Sequence, residues 1–512
     1  MAQRLTRGQL SLVTVCGWGI VADFLVFLDQ LEYFALLDIE GKGFQRVMIP
    51  IVQLLLTYQL KILLGIPSMN LLPTKLFRQV GLLRLIGYTA EQMQVGFCQR
   101  GQLANGPMHK NTLGDAIERL GAEEVEYVLN EAVKRLVAKG YVAQSQGHFA
   151  LDATDLETTS EYVGAGRRKV SEWKVVRDKE TGKRKAVEIE RLVYGFKVLI
   201  VYEVRLRLVV AAKVVQIQQH ESQYTLALLR QAIENVGEGV IRVLLIDRGF
   251  LDGQDLWVIK QRLGIDFVVP SKDKMHITED ARGLCRGAED EEHIFKQERA
   301  GQVKEVKGKG RQGKRKRVKE EGQVSVVGIA NLTSYDQYGD EEQVKQANRA
   351  GFAGNALNAV VVTKWEGEEY KIGEEKVFLT TLGIEVPLNV LDLYDLRSLI
   401  ENTGFRELKQ GWFLQKYPKK TESAVRAHVF LTLVTFTLSN AFQSSLGQDL
   451  AKRGIRRQRA EDETAQVLVF SDDYYAFFNV EEFLILLGVV PKHCLSANPE
   501  EVRHRYAPPL IA

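Results

Sequence analysis

Cysteine is scarce in this chain of 512 residues, and the four present, Cys16, Cys98, Cys285 and Cys494, stand far apart with no Cys-x-x-Cys pair. That argues against a disulfide framework and a cysteine-held zinc, and it fits a reducing, cytosolic setting. The eight histidines form no His-x-x-x-His pair. His276 and Glu279 are three apart, but with no third ligand nearby they do not define a zinc site. An excess of one charge is also lacking: 68 basic against 65 acidic residues leave a formal net charge of +3. The total therefore says nothing about partners, and any nucleic-acid footprint must come from local clustering. An unbroken apolar run of membrane-spanning length is missing. The most apolar stretch, 47–66, is interrupted by Pro50, Gln53, Gln59 and Lys61, whereas a bilayer span needs about 20 residues with few polar breaks. It reads as a buried helix. The apolar run after Arg4 and Arg7 continues through Asp23, Asp29 and Glu32, so a signal peptide is not expected. A soluble chain with no membrane partner follows. There are no internal repeats.

What is present is the composition of a globular protein, 45% hydrophobic and 26% charged, and the length predicts two to four domains. Residues 1–145 read as a helical N-terminal domain. Leu113, Ile117, Leu120, Val125, Val128, Leu129, Val133 and Leu136 keep helical spacing. Thr112, three before Asp115, has the look of a capping box, and Gly140 closes the later helix. With a short strand at 141–144 these helices would make a DNA-binding helix-turn-helix of winged type; a plain helical bundle is the equal alternative. From His148 the period changes. The run 148–151 leads into Asp152, and two β-branched-rich runs, 192–202 and 206–217, read as antiparallel strands. A helix at 223–235 precedes an apolar strand, 240–246, that ends at Asp247. Another helix (254–263) and strand (265–269) follow. The order predicts an α/β fold, a mixed sheet flanked by helices. The pattern lapses between about 271 and 390, where a β-rich insertion is expected, with strands at 324–329, 359–363 and 376–381. It carries a flexible basic loop at 308–319 that includes Lys314, Arg315, Lys316 and Arg317. Helices resume at 390–411 and 423–442, and 446–512 reads as an accessory helical segment.

Three acids fall at telling places. Asp152 ends the first strand of the sheet, Asp247 ends a later apolar strand, and Glu401 lies in a helix after the insertion. Two-metal phosphoryl transfer needs carboxylates that converge on cations about 3.5–4 Å apart, and Mg²⁺ accepts a few protein carboxylates while keeping room for water and phosphate. Strand ends and a packed helix can supply that convergence. Tyr394, Arg397 and Glu401, at i, i+3 and i+7, share one helical stripe. The arginine can grip a carboxylate or a DNA phosphate, and the tyrosine can donate to a phosphate. Competing readings exist for each acid. Asp155 stands beside Asp152 but lies beyond the apolar run, Asp247 precedes a glycine turn, and Glu407 is a second acid near Glu401. The basic run is either a solvated charge block or a phosphate contact. Residues 308–314 have the glycine and lysine spacing of a nucleotide loop, but Arg315 stands where a hydroxyl should hold Mg²⁺ and no apolar strand leads in. Trp257, Trp365 and Trp412 read as core residues, and nothing selects one of them to stack on a flipped base.

The run Tyr394-Asp-Leu-Arg397-Ser-Leu-Ile-Glu401 resembles the tyrosine-arginine-glutamate-lysine signature of bacterial insertion-sequence transposases with a DDE catalytic domain. Asp152 to Thr159 and Asp247 to Gly253 are similar to the first- and second-aspartate motifs of that group, and the long insertion is similar to its β-rich one. The resemblance spans about 146–445. It implies a ribonuclease-H-like domain with Asp152, Asp247 and Glu401 as metal-binding acids, Mg²⁺ as cofactor with Mn²⁺ able to substitute, and DNA as partner. It further implies cleavage at transposon ends, strand transfer to target DNA, and a dimer on DNA. In a bacterial host the protein would be cytoplasmic. Two other outcomes are a related nuclease without strand transfer and a transposase-derived DNA-binding protein that has lost catalysis. One departure stands out. The signature lysine falls seven residues after the glutamate, and here that position is Leu408, with Lys409 next to it. An ideal helix would turn Lys409 about 80° off the stripe of Glu401; a one-residue bulge permitted by Gly404 would bring it back.

Overall fold

The computed structural model describes residues 12–16, 19–41, 43–44, 48–97, 107–177, 184–287, 294–309, 315–350, 355–366, 369–370, 375–445, 466–470, 475–479 and 500. Two compact units divide the chain, one formed by residues 1–128 with 411–512 and the other by 129–410. The long helix Glu422–Ser445 groups with the N-terminal helices in the first unit.

The first unit is built around that helix, whose residues from Ala424 to Phe442 are almost all buried. It is long and apolar enough to cross a membrane by length and composition, but 94% of its apolar window is buried inside the structure, as in a core helix. Against it packs the helix Ile51–Leu63, the buried helix expected from the apolar stretch, with Pro50 at its N-cap. Polar residues in this core find partners: the Tyr58 hydroxyl donates to His428 Nδ1 at 2.8 Å, and Gln59 donates to Tyr33 and Thr435 hydroxyls. The helix Lys110–Arg119 starts earlier than expected, capped by His109, so Thr112 lies inside it and is no cap. Strand β1 (Leu12–Cys16) pairs with a strand at Gln466–Phe470, which pairs in turn with Tyr475–Asn479. The described parts of the C-terminal segment are thus mostly strand, not helix; the apolar run 483–490 lies outside the described residues.

The helix Ala122–Ala138, which spans the boundary at 128/129, ends in a glycine cap. Gly140 takes φ +81°, and Tyr141 donates to the Leu136 carbonyl at 2.9 Å. Residues 141–144 are successive turns and not a strand. The wing of a winged helix is therefore missing, because the glycine cap runs straight into turns that close on Val142 and Gly140.

A mixed sheet follows. Its strands are β2 (His148–Thr158), β3 (Gly166–Arg177), β4 (Arg184–Glu203), β5 (Leu208–Gln216), β6 (Val243–Ile246), β7 (Asp266–Pro270), β8 (Ile294–Lys309), β9 (Arg315–Leu332), β10 (Leu357–Glu366), β11 (Glu369–Tyr370) and β12 (Lys376–Thr380). The path is β3-β4-β2-β6-β7-β12-β10-β9-β8, with β5 on the second half of β4 and β11 on β10. The core order β5-β4-β2-β6-β7, with β2, β6 and β7 parallel and β4 antiparallel to β2, is that of a ribonuclease-H-like sheet. Every residue of β6 is buried, as a central parallel strand requires. The helices Thr225–Val236 and Gly253–Gln261 connect β5 to β6 and β6 to β7.

The insertion at 271–390 joins the main sheet, and the expected runs 324–329, 359–363 and 376–381 fall on β9, β10 and β12: β12 pairs antiparallel with β7, and β10, β9 and β8 extend the same sheet. It also holds two helices, His276–Gly287 and Glu341–Ala350. The basic run is not one flexible loop. Residues 308–309 end β8 and 315–319 begin β9, paired as a hairpin from Lys309↔Arg315 onward.

Candidate functional site

Asp152 is carried by β2, which does not end there as expected but runs on to Thr158. What ends is the parallel ladder: β6 pairs with β2 only as far as Leu151↔Ile246. Beyond that point Asp152 is free of a neighbour on the β6 side, and Asp247 leaves the tip of β6 beside it. Asp247 caps a short 3₁₀ turn, its Oδ2 accepting from the Gly249 amide at 3.3 Å. So the turn reading and the site reading hold for the same residue.

The third acid arrives on a broken helix. Where a continuous helix was expected over 390–411, the helix Pro387–Asp395 gives way to tight turns, with Arg397 N–H donating to the Tyr394 carbonyl and Ile400 to Arg397. A π-turn, Ile400–Phe405, then leads into a short helix, Arg406–Gln410. A π-turn carries one residue more than an α-turn, which is the bulge that the eight-residue spacing from Glu401 to Lys409 calls for. Its glycine, Gly404, is buried, and an added Cβ would reach within 3.5 Å of Ile400 and 3.7 Å of Tyr202.

All three carboxylates meet on one guanidinium. Arg397 Nη1 lies 2.8 Å from Asp152 Oδ2 and 3.5 Å from Asp247 Oδ1, and Nη2 lies 2.6 Å from Glu401 Oε1. Arg397 stacks over the Tyr394 ring at 5.5 Å, and that ring packs on Phe378 at 4.6 Å. Tyr394 therefore supports the arginine from below rather than facing the pocket. Burial pushes its hydroxyl up to about 12, so it stays protonated. The Asp152 side chain is only 10% exposed, against 37% for Asp247 and 55% for Glu401. Burial raises the Asp152 carboxyl to about 7; Arg397 and the Ala153 amide oppose the rise, while Asp247 and Glu401 add to it.

These residues line an open pocket of about 540 Å³, together with Thr154, Arg406 and Lys409. The ammonium of Lys409 donates to Thr154 Oγ1 at 2.6 Å and to the Asp155 carbonyl at 2.9 Å. Burial lowers its pKa. The rival acids are committed elsewhere. Asp155 pairs with Arg168, and Glu407 pairs with Arg207. Sequence reasoning missed Thr154 and Arg406; Thr154 was findable, since it lies two along from Asp152 on the same strand face. Of the basic run, Lys314 lies outside the described residues, and Arg315, Lys316 and Arg317 lie on β9, away in sequence pairing from the acids. Trp412 is buried against Phe436, and Trp257 lies under Arg262.

The donor set suits a hard divalent cation: oxygen ligands only, from three separate elements, opening on a pocket with room for phosphate. Among the described residues no group of three or more His, Cys, Asp or Glu side chains is placed to hold a metal ion as it stands. The three acids gather around Arg397 instead.

A ribonuclease-H-like sheet thus carries Asp152 on β2 and Asp247 at the tip of β6, with Glu401 in the π-turn that follows β12 and the helix Pro387–Asp395. Residues 143–438, more than half of the chain, match the family described as Transposase DDE domain, and the chain belongs to that family. No curated protein matches it. Among solved structures, a piggyBac transposase in a synaptic complex with hairpin DNA is similar at 8% identity and a TM-score of 0.36, over 80% of this chain and 70% of that one.

Proposed function

We propose that this chain is a metal-dependent DNA transposase that cleaves DNA at the ends of a mobile element and joins the freed 3′-hydroxyl to target DNA. The observation that supports it is the meeting of Asp152, Asp247 and Glu401, from three elements, on one guanidinium in one open pocket. In this reading the three acids hold Mg²⁺, for which Mn²⁺ can substitute. The bound metal supplies Lewis acidity that sharpens the attacking oxygen and neutralises charge on the leaving one.

The chain's own groups do the rest. Asp152, fixed by the Ala153 amide, and Asp247, fixed by the Gly249 amide, hold their carboxylates rigidly where the β2–β6 ladder ends. Lys409 and Arg406 face the same pocket and offer cations to the phosphodiester. The basic run Lys314, Arg315, Lys316 and Arg317 would offer further cations to the DNA phosphates. Because two element ends must be cut and joined together, the active species would be a dimer on DNA.

The test is nicking of duplex DNA carrying element ends in Mg²⁺ or Mn²⁺, comparing wild type with Asp247→Asn, followed by a strand-transfer assay with a pre-cut 3′-hydroxyl end. Cutting and joining by wild type alone, with DNA binding retained in the variant, is the expected result. Cutting without joining would make the protein a nuclease. Binding without cutting by either would make it a catalytically dead DNA-binding protein. Equal cutting by both would remove Asp247 from the site.

A further inference from the structure

Arg397 occupies the place where the three carboxylates point. Its Nη1 and Nη2 engage Asp152 Oδ2, Asp247 Oδ1 and Glu401 Oε1, and the other Asp152 oxygen, Oδ1, accepts the Ala153 amide at 2.7 Å. Both oxygens of the most buried acid are therefore taken. The Arg397 side chain is only 14% exposed, its Nε is buried with no hydrogen-bond partner, and its guanidinium lies over the Tyr394 ring. A group that is half-satisfied and desolvated in this way is held by the carboxylates rather than by its surroundings.

Resting on the metal-acid reading above, we propose that Arg397 is a resident counter-cation. It holds the three acids together while no metal is bound, and it competes with divalent metal for the same oxygens. The charge balance points this way. Three carboxylates sharing one site repel one another unless a cation lies between them, and Arg397 is the cation that touches all three. A metal that binds Asp152 needs an oxygen already held by Arg397 or by the Ala153 amide, so metal entry displaces the guanidinium at least from Asp152. Lys409 provides the internal comparison. It lines the same pocket with the same charge but is bonded to Thr154 and the Asp155 carbonyl, not to the carboxylates.

The experiment is a Mn²⁺ titration of the full-length, DNA-free protein, with free Mn²⁺ read by electron paramagnetic resonance. Wild type is compared with Arg397→Gln, Arg397→Lys, Lys409→Met and Asp152→Asn. Removing a contact competitor should tighten Mn²⁺ binding by about tenfold in Arg397→Gln, the scale of one charged hydrogen bond. Arg397→Lys keeps the charge but not the fork, so it should tighten by a smaller factor, and it serves if the glutamine variant does not fold. Lys409→Met, which removes charge without removing a competitor, should change binding by less than about twofold. Binding in Arg397→Gln no tighter than in wild type or in Lys409→Met, with Asp152→Asn reduced, would overturn the counter-cation and leave the metal site standing. Absence of Mn²⁺ binding in wild type and both Arg397 variants would overturn the metal site itself, and the counter-cation with it.

Discussion

Asp152 and Asp155 sit three apart on β2, and the parity of a strand decides between them. Residues an odd number apart face opposite sides of a sheet. Asp152 turns toward Arg397 and the pocket, and Asp155 turns toward Arg168. Asp155→Asn should therefore leave metal-dependent nicking within about twofold of wild type, whereas Asp152→Asn should reduce it by at least about a hundredfold, as loss of a group acting on the transition state does. Nicking rates of the two variants at saturating Mn²⁺ measure this, and the reverse order would exchange the two residues. Lys409 makes a separate claim. If it meets a phosphate, Lys409→Met should weaken DNA binding and lower the slope of log affinity against log salt by about one. Fluorescence anisotropy over a salt series reads both, and weaker binding with an unchanged slope would mark the lysine as a structural tie to Thr154. At this scale the convergence of the candidate acids was largely legible in the sequence. The acids mark the ends of apolar runs, and a burial pattern shows where such runs stop. That Tyr394 packs between Arg397 and Phe378 was not legible, because Phe378 comes from a strand sixteen residues back whose packing no local spacing encodes.

The π-turn is the element on which the third acid and the lysine depend together. It absorbs one residue between Glu401 and Lys409, so that both line the pocket despite a spacing one longer than a straight helix would allow. Deleting Asn402, an exposed residue of that turn, should convert it to an α-turn with the lysine still on the glutamate's side, and DNA binding should persist. Inserting an alanine after Asn402 should carry Lys409 off that face by about 100° and weaken binding as much as Lys409→Met does. A deletion variant that folds but loses binding would refute the compensation. The arginine in the β4–β5 turn is a support for this element: Arg207, at φ +62°, donates to the Thr403 carbonyl and pairs with Glu407. Gly195 shows a second constraint at the same scale. It stands in β4 at φ +155°, where an added Cβ would come within 2.2 Å of the Leu156 carbonyl. Gly195→Val should destabilise the sheet by more than about 2 kcal/mol in denaturant unfolding. The glycine at Gly404 hinted at a bulge, but its extent was hidden, and so was the role of the insertion. Its strands looked isolated because their partners, β7 for β12 and β12 for β10, are set by distant pairing and not by neighbouring sequence.

For the molecule as a whole, one buried histidine sets an acid limit. His428 is enclosed, its Nδ1 accepting the Tyr58 hydroxyl and its Nε2–H donating to the Phe413 carbonyl at 3.2 Å, an arrangement that suits the neutral ring. Burial, helped by the charge of Lys61, lowers its pKa to about 3. The unfolded chain would take up a proton near the ordinary value of about 6.5, so between these two values the unfolded state binds the extra proton. Stability is therefore full above about pH 6.5 and falls as the pH drops toward 3, at up to about 1.4 kcal/mol per pH unit. Thermal melts from pH 7 to 4 should show this decline, and His428→Gln should flatten it even if it melts lower throughout. An equal decline in the variant would assign the acid limit to other groups.

The pairing of β12 with β7 also has a consequence for how the chain is made. The two strands lie about a hundred residues apart, with β8, β9 and β10 between them. At a synthesis rate of about 5–20 residues per second, β7 waits some 5–20 s with one edge open before its partner leaves the ribosome. An apolar strand left unpaired that long invites contact with neighbouring nascent chains. The protein should thus depend on chaperones during translation more than its finished sheet, in which β7 is paired on both sides, would lead one to expect.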